Sequence, residues 1–286
     1  MEPAGFRDDP APAEAVAGIR RACVDEDGLD PLDEAADLLL RHQGLGDGVR
    51  LWIADADGFA LLREGTLDLA VRPAARRRGL GGVLAETALG SGQVATAWSH
   101  GDHPGARRLA ELHGLVRARE LWVMRRLAAQ PLPNLVLPPG VRIRSYLPGD
   151  DEAVLSVNAA AFAHHPEQGA LDSAGLAARR AEPWFSPDGL LLAVDDEGRL
   201  LGFHWTKQHD AELGEVYVVA IAPDAQGRGL GRALTLAGLY HLAGLGVSEV
   251  LLYVESDNAP AVAVYSRLGF THLPADTHVS YSVPSR

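Results

Sequence analysis

The sequence predicts an α/β protein, of the α+β kind with mixed sheets, made of two tandem domains of one architecture. Three observations carry this. First, residues 70–84 (Ala-Val-Arg-Pro-Ala-Ala-Arg-Arg-Arg-Gly-Leu-Gly-Gly-Val-Leu) match residues 220–234 (Ala-Ile-Ala-Pro-Asp-Ala-Gln-Gly-Arg-Gly-Leu-Gly-Arg-Ala-Leu) at eight of fifteen positions, at an offset of 150. Repetition at that density marks a duplicated unit. A weaker pair, Ala110-Glu-Leu-His-Gly-Leu115 and Tyr265-Ser-Arg-Leu-Gly-Phe270, follows in the same order at an offset of 155. Second, 128–140 holds Pro131, Pro133, Pro138 and Pro139 and no apolar period, as a linker does. It divides the chain into an N-terminal domain over 1–127 and a C-terminal domain over 141–286. Third, short apolar runs alternate with amphipathic ones in both halves, a layered plan of strands and helices.

The elements follow in order. In the N-terminal domain Leu51–Ala54 and Phe59–Leu62 flank Asp57-Gly58 as a hairpin. Leu67–Val71 is a strand, Leu80–Leu89 a helix, Val94–Trp98 a strand and Arg107–Leu112 a helix. The C-terminal domain starts with a strand at Val141–Tyr146 and a helix over Asp150–Phe162 behind acidic residues. Leu190–Val194 and Leu200–Thr206 form a hairpin around Asp195-Asp-Glu-Gly198. Strand Glu215–Ile221, helix Leu230–Leu242, strand Val250–Glu255, helix Pro260–Leu268 and strand Thr277–Val283 complete it.

Composition narrows the function. The chain has 286 residues, 47% hydrophobic and 22% charged, which excludes a disordered or fibrous protein. The net charge of −12 argues against nucleic acid and is compatible with a small neutral or cationic partner. Cys23 is the only cysteine, so no intrachain disulfide and no cysteine-based zinc site is expected. The acidic N-terminus lacks the apolar core of a secretory signal, and no run is long enough to span a membrane. A monomeric cytoplasmic protein is the expectation. His164-His165 and His100 with His103 lack metal-ligand spacing, so no metal is expected. Trp98, Trp122, Trp184 and Trp205 read as packing residues.

Gln226-Gly227-Arg228-Gly229-Leu230-Gly231-Arg232 follows a strand and opens a helix. Such a turn leaves backbone N–H groups convergent at the positive end of a helix, which favours a phosphate. It is neither a G-x-x-x-x-G-K-[ST] loop nor a G-x-G-x-x-G fingerprint. The shared pattern is [Gln/Arg]-x-x-Gly-x-Gly: Gln226, Gly229 and Gly231 in one half, Arg76, Gly79 and Gly81 in the other. The basic run Arg76-Arg77-Arg78 then reads as a phosphate or coenzyme contact.

On these residues the chain resembles the GNAT superfamily of acetyl-CoA-dependent N-acyltransferases. The resemblance implies that the turn holds the coenzyme A pyrophosphate and that a splayed strand pairs with pantetheine. In the C-terminal domain it points to Val219, Ala220 and Ile221, to Gln226 through Arg232, and to Asn258-Ala259-Pro260-Ala261-Val262-Ala263. In the N-terminal domain it points to Leu69, Ala70 and Val71, and to Arg77, Arg78, Gly79, Leu80, Gly81 and Gly82. Leu201-Gly-Phe-His-Trp-Thr-Lys207, Gly214-Glu-Val-Tyr-Val218, Leu252-Tyr-Val-Glu-Ser-Asp-Asn258 and His165-Pro-Glu-Gln-Gly169 are similar to an actinobacterial tandem branch. That branch acetylates the cysteinyl amine of a cysteine–glucosamine–inositol compound. The resemblance implies Glu34, Glu167, Lys207, Glu215 and Tyr253 as acceptor-binding residues.

Aminolysis of a thioester needs a proton acceptor for the amine, a stabiliser for the oxyanion and a proton for the thiolate. Glu215 lies near the start of the strand that leads into the turn, placed to accept the amine proton directly or through water. Tyr265 follows Asn258 by seven residues, and its phenol, with an ordinary pKa of ~10, is a proton donor at pH 7. The Val219 N–H is the expected oxyanion partner. An offset of 150 places Gly65 opposite Glu215, and an offset of 155 places Ala110 and His103 opposite Tyr265 and Asn258. The N-terminal domain is therefore expected to bind acetyl-CoA or to be structural, and the C-terminal one to catalyse. Two alternatives stand beside this reading. One is transfer to another amine, such as an amino sugar, a polyamine or a peptide N-terminus. The other is a non-enzymatic acetyl-CoA sensor, which needs neither Glu215 nor Tyr265.

Overall fold

The computed structural model describes residues 11–42, 44–46, 48–164 and 168–284. The chain forms two compact units. Unit 1 comprises Met1–Trp122 with Pro274–Arg286, and unit 2 comprises Val123–Leu273. The Pro-rich stretch 128–140 carries no helix or strand and falls inside unit 2 rather than between the units.

Unit 1 begins with α1 (Ala11–Asp27) and α2 (Glu34–His42). The strands β1 (Arg50–Ala54), β2 (Gly58–Arg63) and β3 (Thr66–Val71) form an antiparallel meander. Then come α3 (Leu80–Gly90), the parallel strand β4 (Thr96–Ser99) and α4 (Pro104–His113). A parallel return needs a crossover, which α3 supplies. The strands read as unbroken apolar runs because alternate residues serve two cores. Leu51, Phe59, Leu61 and Ala70 pack with Val16, Ile19 and Cys23 of α1. Trp52, Ala60, Leu62 and Leu67 pack with Leu84 and Ala88 of α3.

Unit 2 repeats the plan. It holds β6 (Arg142–Ser145), α5 (Asp151–Ala161), α6 (Ser173–Arg180), β7 (Leu190–Val194), β8 (Leu200–Gln208), β9 (Leu213–Ile221), α7 (Leu230–Gly244), β10 (Glu249–Glu255) and α8 (Ala259–Arg267). Its strand order is β10-β9-β8-β7-β6, with β9 and β10 parallel across α7. Trp205 and Phe203 are fully buried in the core, while His204 between them turns to α7. There its Nδ1–H donates to the Leu234 carbonyl at 2.8 Å, and only a glycine at 238 leaves room, since a Cβ would lie 2.0 Å from the ring.

Two long strands, β5 (Val116–Leu127) and β11 (Thr271–Ser282), each have residues in both units. Within unit 1, Val279–Ser282 of β11 pair antiparallel with β4. The helices α1 and α6 and the strand β5 are not foreseen from sequence, and β11 starts six residues earlier than expected. In β5 the arginines mask the alternation. Arg117 reaches Asp102 and Glu120, Arg125 reaches Glu249, and the buried Arg126 donates to the Leu268 carbonyl.

Candidate functional site

In unit 2 the geometry centres on β9. Its parallel ladder with β10 runs from Leu213↔Glu249 to Val216↔Leu252 and then stops, although β9 continues to Ile221. On its other edge β9 stays paired with β8 as far as Ile221↔Gly202, with a bulge between Trp205 and Thr206 that leaves Tyr217 as an extra residue. A bulge bends and twists its strand, which accounts for the parting. The amides that β9 turns toward β10 beyond Val216 meet no further ladder. An extended amide-bearing ligand can complete it, as a peptide does at a sheet edge. Val219, Ala220 and Ile221 lie in this stretch.

The glycine turn follows directly. Pro223–Ala225 make a short 3₁₀ turn, and the Gln226 side chain donates to the Ile221 carbonyl at 3.4 Å, tying the turn to the strand end. Gly227 and Gly229 have φ of 74° and 81°, where a Cβ is disfavoured. Gly229 caps α7 with no side-chain bond, and a Cβ there would meet nothing within 4 Å. The first N–H groups of α7 thus face an open surface suited to a phosphate. Leu230 faces inward as a core residue, whereas Arg228 and Arg232 are exposed.

Asn258 caps α8, its Oδ1 accepting the Ala261 N–H at 3.2 Å, and so fixes the start of the segment 258–263. Two turns on, the half-buried Tyr265 packs edge-on against Phe270 at 6.0 Å. Burial pushes its phenol up to about 12, so it is a protonated donor at neutral pH.

Glu215 is 5% exposed and sits cross-strand from Lys207. The Lys207 ammonium lies over the rings of Trp184 at 4.9 Å and Tyr217 at 5.4 Å, and Arg179 donates to the Tyr217 hydroxyl at 2.8 Å. Tyr253 is exposed on the part of β10 that has parted from β9. Glu34 opens α2 in unit 1 and is half-buried. Glu167 lies outside the described residues. Sequence reasoning missed His209, whose Nε2 is 2.6 Å from Glu215 Oε2. Its only sequence signal is a place two residues after Lys207, on the same face of an extended strand.

Unit 1 keeps the frame and changes the side chains. Its β3 pairs with β4 only at Thr66↔Thr96 and Leu67↔Ala97, then runs on to Val71 against β2. Arg76 Nε donates to the Val71 carbonyl at 3.0 Å, as Gln226 does to Ile221, and Gly79 caps α3 at φ 87°. His103 caps α4 by accepting the Gly105 N–H at 3.0 Å. Leu115 N–H donates to Ala110 O at 2.9 Å, the counterpart of Phe270 N–H to Tyr265 O at 3.1 Å. A cleft of about 810 Å³ is lined by Leu69, Ala70, Val71, Arg77, Gly79, Gly81, Gly82 and Ala110, while Arg78 and Leu80 lie outside its lining.

One expectation is corrected here. Because the Tyr217 bulge adds a residue, matching the last parallel pairs (Leu67↔Ala97 and Val216↔Leu252) makes Thr66, not Gly65, the counterpart of Glu215. Glu64 is exposed in the preceding turn at φ 48° and supplies no carboxylate on the strand. Arg76 reaches Asp27 and the Cys23 sulfur at 3.6 Å, all three lining the same cleft, while Arg77 and Arg78 are exposed.

A parted strand, a glycine turn and a capped helix carrying a phenol together define the GNAT acyltransferase fold. The Acetyltransferase (GNAT) family model matches residues 159–270. A GCN5-related N-acetyltransferase from Sphaerobacter thermophilus superposes with a TM-score of 0.69 at 25% identity, covering 98% of this chain and 93% of that one. A tandem GNAT protein from the clavulanic acid biosynthesis pathway gives 0.68 at 20% identity over 100% and 99% of the chains. A mycothiol acetyltransferase of Nocardioides sp. is 58% identical over 93% of this chain and 96% of its own length, and that of Actinosynnema mirum is 50% identical over 94% and 95%. The chain belongs to the mycothiol acetyltransferase family of GNAT enzymes and is an acyltransferase. GNAT acetyltransferases use acetyl-CoA. Among the described residues no cluster of three His, Cys, Asp or Glu groups is placed to hold a metal, and no helix is long and apolar enough to cross a membrane.

Proposed function

We propose that this enzyme transfers acetyl from acetyl-CoA to the cysteinyl amine of the cysteine–glucosamine–inositol compound, giving mycothiol and CoA, and that unit 2 performs the chemistry. The observation that carries the assignment to unit 2 is the buried Glu215 at the point where β9 leaves β10, where unit 1 has Thr66. Glu215 accepts the amine proton, directly or through water, and the amine attacks the thioester carbon. The Val219 N–H receives the oxyanion, and the Tyr265 hydroxyl protonates the departing sulfur. Asn258 through Ala263 and the turn from Gln226 to Arg232 hold the coenzyme. Lys207 and Tyr253 contact the acceptor. The cleft of about 810 Å³ and the turn from Arg77 to Gly82 support a second acetyl-CoA site in unit 1, without turnover. A net charge of −12 suits an ammonium-bearing acceptor.

The test is acetyl transfer by the purified chain to the cysteinyl glucosaminyl-inositol, with glucosamine and a peptide amine as rival acceptors. A dominant kcat/KM for the first is expected. Binding of acetyl-CoA without turnover of that acceptor would refute the substrate assignment and leave the fold standing.

A further inference from the structure

Amide formation from an ammonium and a thioester releases protons that must leave the site. The nitrogen gives up two as the C–N bond forms and the C–S bond breaks. One ends on the coenzyme sulfur and one in solvent. Glu215 is 5% exposed, so a proton it accepts has a poor route out through the carboxylate itself. Its Oε2 faces His209 Nε2 at 2.6 Å, and the His209 side chain is 32% exposed. The imidazole therefore spans the distance from the buried carboxylate to the surface.

We infer that His209 is a positioning residue that holds Glu215 by the Nε2–Oε2 contact and releases a proton to solvent as Glu215 gains one. The inference rests on the reading of Glu215 as proton acceptor. The hairpin places the ring firmly. His209 N–H donates to Leu213 O at 2.9 Å, and Asp210 Oδ1 accepts the Glu212 and Leu213 N–H groups at 2.8 Å each. A short turn so pinned fixes the direction in which position 209 leaves β8. The charged groups around the ring come from three elements. Glu215 lies on β9, Lys207 is two residues back on β8, and Asp210 and Glu212 occupy the turn. Those two amide bonds hold the Asp210 carboxylate below the usual carboxylate range, so its charge persists beside the imidazole. The protons balance with an imidazolium whose Nε2–H is held on Oε2: as the Glu215 carboxylate takes the amine proton, the Nδ1 proton leaves to water, and the neutral acid–imidazole pair that results holds as many protons as the ion pair it came from.

The experiment uses the full chain with acetyl-CoA and its acceptor, comparing His209→Gln, His209→Ala and Glu215→Gln. Gln keeps a hydrogen-bond donor and cannot carry a proton. We expect both His209 variants to lose roughly 10- to 100-fold in kcat, less than direct loss of a general base at ~10²–10⁴, with an unchanged KM for acetyl-CoA. The pH profile of kcat should shift, and added imidazole should restore activity to His209→Ala. Full activity in His209→Gln with no imidazole rescue of His209→Ala would overturn the proton-carrying role and leave a structural contact. Both His209 variants at the parent rate, with Glu215→Gln impaired, would overturn the inference and spare Glu215. A fully active Glu215→Gln would overturn both.

Discussion

Units 1 and 2 share the frame of the glycine turn and differ in the side chains proposed for proton transfer. Each has a strand that leaves its parallel neighbour early, a turn tied back to the last strand carbonyl, a left-handed glycine cap and a helix capped by a side chain. On the proposed reading, coenzyme recognition uses main-chain groups, which drift in side chains spares. Proton transfer has no such protection. Cross-strand from Glu215, Lys207 lies over aromatic rings in unit 2. Its counterpart, Arg63, pairs with Thr66 and is tied to Asp33 at 2.5 Å and to the buried Asp68 at 3.5 Å. The same strand position thus holds a cation closed into acids in one unit and a cation facing a carboxylate and π surfaces in the other.

The sharpest way to break this contrast is at the helix that carries the phenol. Tyr265→Phe keeps the ring contact with Phe270 and removes the donor, and its counterpart in unit 1 is already Ala110. We expect kcat to fall by about 10²–10³-fold with little change in acetyl-CoA affinity. Because burial holds the phenol at about 12, the parent should show no alkaline loss of kcat with a midpoint near 10. Deprotonation disables an acid, so the loss belongs only at pH values approaching 12. A Phe variant at the parent rate would remove the helix as a difference between the units.

The glycine caps sharpen it further. Gly79→Ala and Gly229→Ala each force a Cβ into the left-handed region at φ 87° and 81°, with open space around it. Each should cost about 1 kcal/mol of stability, since the strain is the same. Turnover should separate them: KM for acetyl-CoA should rise in Gly229→Ala, while steady-state turnover of Gly79→Ala stays at the parent level. Equal kinetic effects would show that both sites enter the reaction.

Much of the frame was legible in the sequence, and the reasons are local. The strand–turn–helix repeat is written in glycines and prolines whose conformational demands survive without context. The offset of 155 at Ala110 and Tyr265 corresponds to matching hydrogen bonds at the ends of α4 and α8. The bulge at Tyr217 was not legible, because an inserted residue in an apolar strand leaves no change of composition. That single residue accounts for matching Glu215 with Gly65 in place of Thr66. The strand β5 was hidden by arginines whose partners are distant in sequence, Glu249 and the Leu268 carbonyl among them. His209 was missed for a similar reason, since its meeting with Glu215 depends on a hairpin turn.

The smallest effect on turnover, and the clearest on pH, should come from Asp68. It is fully buried, and neither carboxylate oxygen has a hydrogen-bond partner; burial, reinforced by the nearby Asp33 charge and only partly offset by Arg63, raises its pKa to about 7. In the unfolded chain an Asp titrates near ~3.9. Between those values the folded protein holds a proton that the unfolded chain has lost. Stability therefore falls as pH rises from about 4 to about 7, by at most ~1.4 kcal/mol per pH unit from this group, and the loss is complete above that window. Asp68→Asn cannot ionise. Its unfolding free energy relative to the parent should rise steadily from pH 4 to pH 7 in urea titrations, while kcat stays unchanged because the chemistry is assigned to unit 2. An Asn variant whose relative stability is flat across that range would show that Arg63 keeps Asp68 charged in the fold, and the closed ion cluster of unit 1 would then be a true salt bridge from pH 4 upward.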